Sequence, residues 1–135
     1  GIKGAQAVAL AIFLARTGSP KKTIREELAR RFDYNLEITV ADIRPAYSFD
    51  STCQGSVPQA MVAFFDSTDF ENAVRLAVSL GGDSDTLAAI TASVAQAFYR
   101  KVPAHIVSAC RSILPKDLLA INDAFTRKYR VPAES

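Results

Sequence analysis

Apolar residues recur three and four positions apart along nearly the whole chain, and helix-starting residues punctuate the runs, so a helical array is what this sequence can build. From Ile2 to Arg16, Val8, Leu10, Ile12, Phe13 and Leu14 stand among many alanines. Alanine admits close backbone approach, so this stretch reads as an interior helix ended by Gly18. Ser19-Pro20 is a helix entry, with the hydroxyl as cap and proline in the first turn. The next helix turns Ile24, Leu28 and Phe32 to one side and sets Glu26 before Arg30 and Glu27 before Arg31. Its basic surplus reads as a solvated face rather than a nucleic-acid surface. Tyr34 to Phe49 lacks helical rhythm; Leu36, Ile38 and Val40 alternate with polar residues, which fits a short strand or an extended loop that Pro45 keeps brief.

Ser56-Val57-Pro58-Gln59 and Thr68-Asp69-Phe70-Glu71 match the capping box and predict helices over 57–65 and 69–80. A further helix is predicted over 85–101, after Gly81-Gly82. Pro103 and Pro115 open two more, with Ile106, Cys110, Ile113 and Leu118, Ile121, Phe125 facing inward. The fold class is therefore all-α, with about seven helices.

At 135 residues, 49% hydrophobic and 22% charged, the chain suits one compact domain with a buried core, which excludes the disordered and fibrous classes. A net charge of +2 gives no strong pull toward nucleic acid. Cys53 and Cys110 are too few for a disulfide framework, so a reducing, cytoplasmic setting is expected. The apolar run from Ala5 to Ala15 is broken by Gln6 and ends at Arg16, too short for a membrane span and without a basic leader.

The chemistry concentrates in Gly81-Gly82-Asp83-Ser84-Asp85-Thr86. Residues two apart in an extended turn point the same way, so Asp83 and Asp85 can converge, and Thr86 adds a neutral oxygen. Hard cations such as Mg²⁺ take such oxygens. A helix start repels a cation, which two carboxylates more than offset, while its free amides suit an anionic group such as a pyrophosphate. Glycines at 81 and 82 permit close approach. From spacing alone a second account stands equally: Asp83 or Ser84 caps the helix and Asp85 complements its dipole. An EF-hand is excluded by Leu87 and Ala88 where ligands would stand, and a P-loop by the missing Gly-Lys-Ser/Thr.

With Leu87-Ala88-Ala89-Ile90-Thr91 and the aromatic pair Phe98-Tyr99 behind it, this element resembles the C-terminal signature of the ADP-ribosylglycohydrolases. That family takes in the dinitrogenase-reductase-activating glycohydrolases, the ADP-ribosyl-acceptor hydrolases and a related lens crystallin. Gly1-Ile2-Lys3-Gly4-Ala5-Gln6-Ala7 is similar to its mid-chain helix start, and Ser51-Thr52-Cys53-Gln54-Gly55-Ser56-Val57-Pro58-Gln59-Ala60 to the loop and helix before its metal signature. The resemblance implies a multi-helix orthogonal array, irregular over about 34–55. It also implies two Mg²⁺ ions, Mn²⁺ in some members, in a cleft. The implied substrate is ADP-ribose joined through its anomeric carbon to a protein side chain or small acceptor. Carried over, Asp83, Asp85 and Thr86 are metal ligands. Gly82 and Ser84, with Thr52, Cys53, Gln54, Gly55 and Ser56, border the ADP-ribose.

The family's N-terminal half supplies a glutamate and a Thr-Asp-Asp cluster, which nothing in this chain matches. Ala92, Gln96 and Arg100 stand where the family commonly has glycines. Residues 1–135 are therefore expected to be the C-terminal portion of the fold, supplying one side of a dinuclear site and no general base. Such a chain would be inactive alone, bind a single Mg²⁺ weakly, self-associate through uncovered apolar surface, and need its N-terminal half or a partner chain. A non-catalytic ADP-ribose-binding or structural relative is the alternative. His105 is expected at the surface, Cys53 in loop packing, Cys110 in the core, and Tyr34, Tyr47 and Phe49 packed against helices.

Overall fold

A computed structural model describes residues 1–129. Every regular element among them is a helix: α1 (Ile2–Arg16), α2 (Lys21–Phe32), α3 (Val40–Ile43), α4 (Cys53–Asp66), α5 (Phe70–Ser79), α6 (Ser84–Tyr99), α7 (Ala104–Ile113) and α8 (Lys116–Tyr129). The predicted all-α class holds, and the irregular segment contains a one-turn helix in place of a strand. Thr39 caps it, accepting from the Asp42 amide at 3.2 Å while the Asp42 carboxyl accepts from the Thr39 amide at 2.9 Å. The alternation of Leu36, Ile38 and Val40 is an extended run into that cap; Leu36 and Val40 are buried.

The chain divides into two compact units. The first runs from Gly1 to Tyr99. In it α6 packs against α1, α4 and α5, and α2 lies on α1. The core gathers Ile24 and Leu28 from α2, Met61, Val62 and Phe64 from α4, and Leu87 and Val94 from α6. Helix α1 buries Gly4, Ala7, Ala11 and Ala15, while Phe13 is 61% exposed. Its inner face is therefore the small-residue face, and its large side chains lie outside the closest contacts. Thr91 of α6 donates to the Ala60 carbonyl of α4 at 2.9 Å and satisfies its buried hydroxyl.

Several caps differ from the sequence pattern. Pro20, not Ser19, is the N-cap of α2 and makes no side-chain capping bond. Helix α4 starts at Cys53 with Thr52 as cap, so Ser56 and Pro58 lie inside it and the box read at Ser56 is not formed. Asp69 rather than Thr68 caps α5, accepting from the Asn72 amide at 2.7 Å. On α2, Glu27 binds both Arg30 and Arg31 at 2.8 Å, and Glu26 faces Lys22 instead of Arg30.

Hydrogen bonds from Arg30 and then Arg31 hold the Glu27 carboxyl below its ordinary value of 4.5, and Thr39 does the same for Asp42, ordinarily 3.8. A carboxyl whose folded pKa is depressed adds stability that is full above its unfolded value and lost as pH falls through the folded one. Thermal stability should therefore decline on acidification below about 4.5. Glu27→Gln should flatten that acid limb in melts recorded across pH, and an unaltered limb would show that Glu27 takes no part in it.

The second unit begins at Arg100, whose φ of +57° closes α6 in the left-handed region. As expected, Pro103 opens α7. Arg111 of α7 pairs with Asp123 of α8 at 2.8 Å. The inward-facing stripes are not realised: neither helix has a buried residue, Cys110 is exposed, Ile113 is 81% exposed and Phe125 54%. A spacing identifies which side of a helix is apolar, but two short helices have too little mutual surface to cover it.

Candidate metal centre

Helix α5 ends at buried Leu80, and α6 begins at Ser84 with Leu87 fully buried one turn later. These two leucines pin both sides of a short reversal. Between them Gly81 and Gly82 take φ values of +77° and +63°, the left-handed region that glycine enters freely. The Leu87 amide donates to the Asp83 carbonyl at 3.1 Å, so the helical ladder starts at Asp83.

The turn delivers the two acidic side chains to one place. The Asp83 carboxyl lies within hydrogen-bonding reach of that of Asp85. That contact first, and then the Thr86 amide, which donates to Asp85 Oδ1 at 2.9 Å, hold the Asp85 carboxyl below the usual carboxylate range. Thr86 lies exposed beside Asp85, and Ser84 is half-buried. Among the described residues no group of three or more His, Cys, Asp and Glu side chains comes together. An oxygen-only donor set of two carboxyls and a neighbouring hydroxyl suits a hard cation, and fills only part of its shell.

Residues 52–56 form the first turn of α4 rather than a loop. Thr52 Oγ1 accepts from the Gly55 amide at 3.0 Å, and Asp50 Oδ1 accepts from the Thr52 amide at 2.7 Å. The Thr52 hydroxyl and then its amide hold the Asp50 carboxyl below its ordinary range. Gly55 allows that carboxyl to lie against the helix, since a Cβ there would overlap it. Ser56 is buried and donates to the Asp50 carbonyl at 3.1 Å; Gln54 is exposed. Cys53 is half-buried against Gly4 of α1, in helix packing at the start of α4 rather than in a loop.

Sequence reasoning left two participants unassigned. Asp50 occupies the start of α4, and an aspartate two residues before a threonine cap is the local signal for it. Tyr47 donates its hydroxyl to the Gly55 carbonyl at 3.0 Å, and burial, then nearby Asp50 and Asp83, push its phenol upward. Nothing local in the sequence announces that placement. Tyr34 is buried and Tyr47 half-buried, as loop packing predicts, whereas Phe49 is 69% exposed.

A family model described as ADP-ribosylglycohydrolase matches residues 1–134. The chain belongs to the ADP-ribosylglycohydrolase family. No curated protein and no solved structure gave a match. The family is one of hydrolases, and no helix among the described residues of this ADP-ribosylglycohydrolase chain is long and apolar enough to cross a membrane.

The two glycines of this ADP-ribosylglycohydrolase turn make different demands. A Cβ at Gly82 would stand 3.0 Å from Tyr47 Cε1, 3.2 Å from the Ser48 carbonyl oxygen and 3.3 Å from Phe49 Cα; one at Gly81 would meet nothing within 4 Å. Gly81→Ala should lose about 1 kcal/mol through backbone strain alone. Gly82→Ala should lose about 2–3 kcal/mol, because backbone must also shift. Equal urea midpoints for the two variants would contradict the close approach at Gly82.

Proposed function

We propose that this chain supplies one side of a dinuclear Mg²⁺ site in a hydrolase that releases ADP-ribose from a modified protein side chain or small acceptor. The observation that carries the reading is the placement of Asp83 and Asp85 at the start of α6, directly after the left-handed Gly81-Gly82 turn, with the Thr86 amide on Asp85 Oδ1. Two carboxylates so placed repel unless a proton or a cation joins them, and in neutral solution a hard divalent ion is the fitting partner. Asp83 and Asp85 would hold it, with the Thr86 hydroxyl as a neutral donor. Mn²⁺ suits the same oxygens. Bound divalent cations supply positive charge for gripping ribose hydroxyls and for acidifying a water.

The chain's own groups then bind and orient. Gly82 presents bare backbone beside the carboxyls, and Ser84 adds a hydroxyl at the helix start. The first turn of α4, Thr52 to Ser56, borders the ADP-ribose, with Asp50 already on part of its amide edge. Anionic phosphates would approach from the side away from that carboxylate. A glutamate and a Thr-Asp-Asp cluster from the family's N-terminal half would complete the shell, and the chain alone would hold one ion weakly and turn nothing over. Unpaired Cys53 and Cys110 suit a cytoplasmic setting.

The test is to fuse this chain to an N-terminal half carrying those elements and to assay ADP-ribose release from an ADP-ribosylated acceptor with Mg²⁺. The fusion should release ADP-ribose and lose that activity to a chelator, while the chain alone should not release it. Chelator-resistant release would overturn the metal reading. Tight ADP-ribose binding without release would instead point to a binding or structural relative.

A further inference from the structure

Tyr47 stands where two remote pieces of the proposed site approach each other. Its hydroxyl is anchored on the Gly55 carbonyl in the first turn of α4, and its ring edge lies against Gly82, directly before Asp83. The Ser48 carbonyl and the Phe49 Cα lie against the same glycine. Two successive glycines at positive φ leave that turn with many alternative backbone states, so something outside it must hold it still. Leu80 and Leu87 pin the helix ends on either side, and leave the two glycines between them to be held by contacts from outside.

We infer that Tyr47 is a positioning residue for the Asp83–Asp85 pair, bracing the turn that carries it against the entry of α4. The inference rests on the reading of that pair as a cation site. The bond to Gly55 fixes the phenol at one end, and the rigid ring transmits that position to Gly82. Glycine at 82 is what lets the ring come so near. Mg²⁺ demands near-ideal octahedral geometry whereas Ca²⁺ tolerates irregular coordination, so a loosened turn should harm Mg²⁺ binding more.

The experiment compares the unaltered chain with Tyr47→Phe, Tyr47→Leu and Asp83→Ala. Mg²⁺ and Ca²⁺ titrations by calorimetry, amide hydrogen exchange and thermal melts are recorded for each. Tyr47→Leu should weaken Mg²⁺ about tenfold, in the range seen when groups supporting metal ligands are removed. Ca²⁺ should weaken only about threefold, given its looser geometry. Exchange should rise together at 81–86 and 52–56 and stay unchanged in α2. Tyr47→Phe, which keeps the ring against Gly82 but loses its anchor on Gly55, should raise exchange at 52–56 and weaken Mg²⁺ by less than Tyr47→Leu does. Unchanged exchange at 81–86 in Tyr47→Leu overturns the brace. So does an equal loss for both ions, which is the mark of a general structural role. If Tyr47→Leu does not fold, unchanged exchange at 52–56 in Tyr47→Phe overturns it equally. Mg²⁺ binding that Asp83→Ala leaves intact would defeat the cation reading separately, and the exchange comparison still decides the brace.

Discussion

Asp83→Ala is expected to abolish divalent-cation binding by this chain, and in the fused enzyme to reduce ADP-ribose release by more than the ~10–100-fold typical of groups that only support metal ligands. Asp85→Ala should do nearly the same. The two carboxyls act as a unit, being within hydrogen-bonding reach of each other, so the double variant should lose little beyond either single one. The fold should survive, because both side chains lie at a turn and Asp85 is exposed. Calorimetric titration with Mg²⁺ and a release assay check this. A single variant that keeps its affinity, or additive losses, would show that the pair is a helix cap and dipole complement, the other account the spacing allows.

Lys21→Met should produce a large loss of stability. The Lys21 ammonium donates to the Ser67 carbonyl at 2.5 Å, the Tyr99 hydroxyl at 2.8 Å and the Phe65 carbonyl at 3.3 Å. It also lies 5.0 Å from the centre of the Phe64 ring and 5.2 Å from that of Tyr99. One charge thus terminates α4, whose last carbonyls lack helical partners, and joins the start of α2 to the ends of α4 and α6. Methionine keeps the stem and removes the charge. Lost charge-assisted bonds and cation–π attraction should total about 2–4 kcal/mol. For a unit of this size the melting temperature should fall by roughly 10–20 °C. A midpoint within a degree or two of the unaltered chain, a shift of about 0.3 kcal/mol or less, would show that water replaces the ammonium without loss.

The sequence disclosed most where the cause is local. Spacing located α1, the glycine pair located α6 and the turn carrying Asp83 and Asp85, and Pro103 located the start of α7. It misled at Ser56 because Ser-x-x-Gln looks like a box, while Thr52 caps without an acidic partner three residues on. Thr39 and Asp42 make a true box that the alternation around Ile38 disguised. Tyr47 meeting Gly82, and Lys21 meeting Tyr99, join positions far apart in the chain, where no spacing rule applies. The exposed stripes of α7 and α8 failed for a different reason: periodicity reports a side, never a neighbour.

The small-residue side of α1 bears on how this chain can drift. A Cβ at Gly4 would stand 3.0 Å from Cys53 Cβ and 3.2 Å from Val57 Cγ2, so the glycine works as a gauge that sets the distance between α1 and the entry of α4. Ala7, Ala11 and Ala15 continue that gauge against neighbouring helices. Among descendants of this sequence, volume rather than polarity should decide what survives at these four positions.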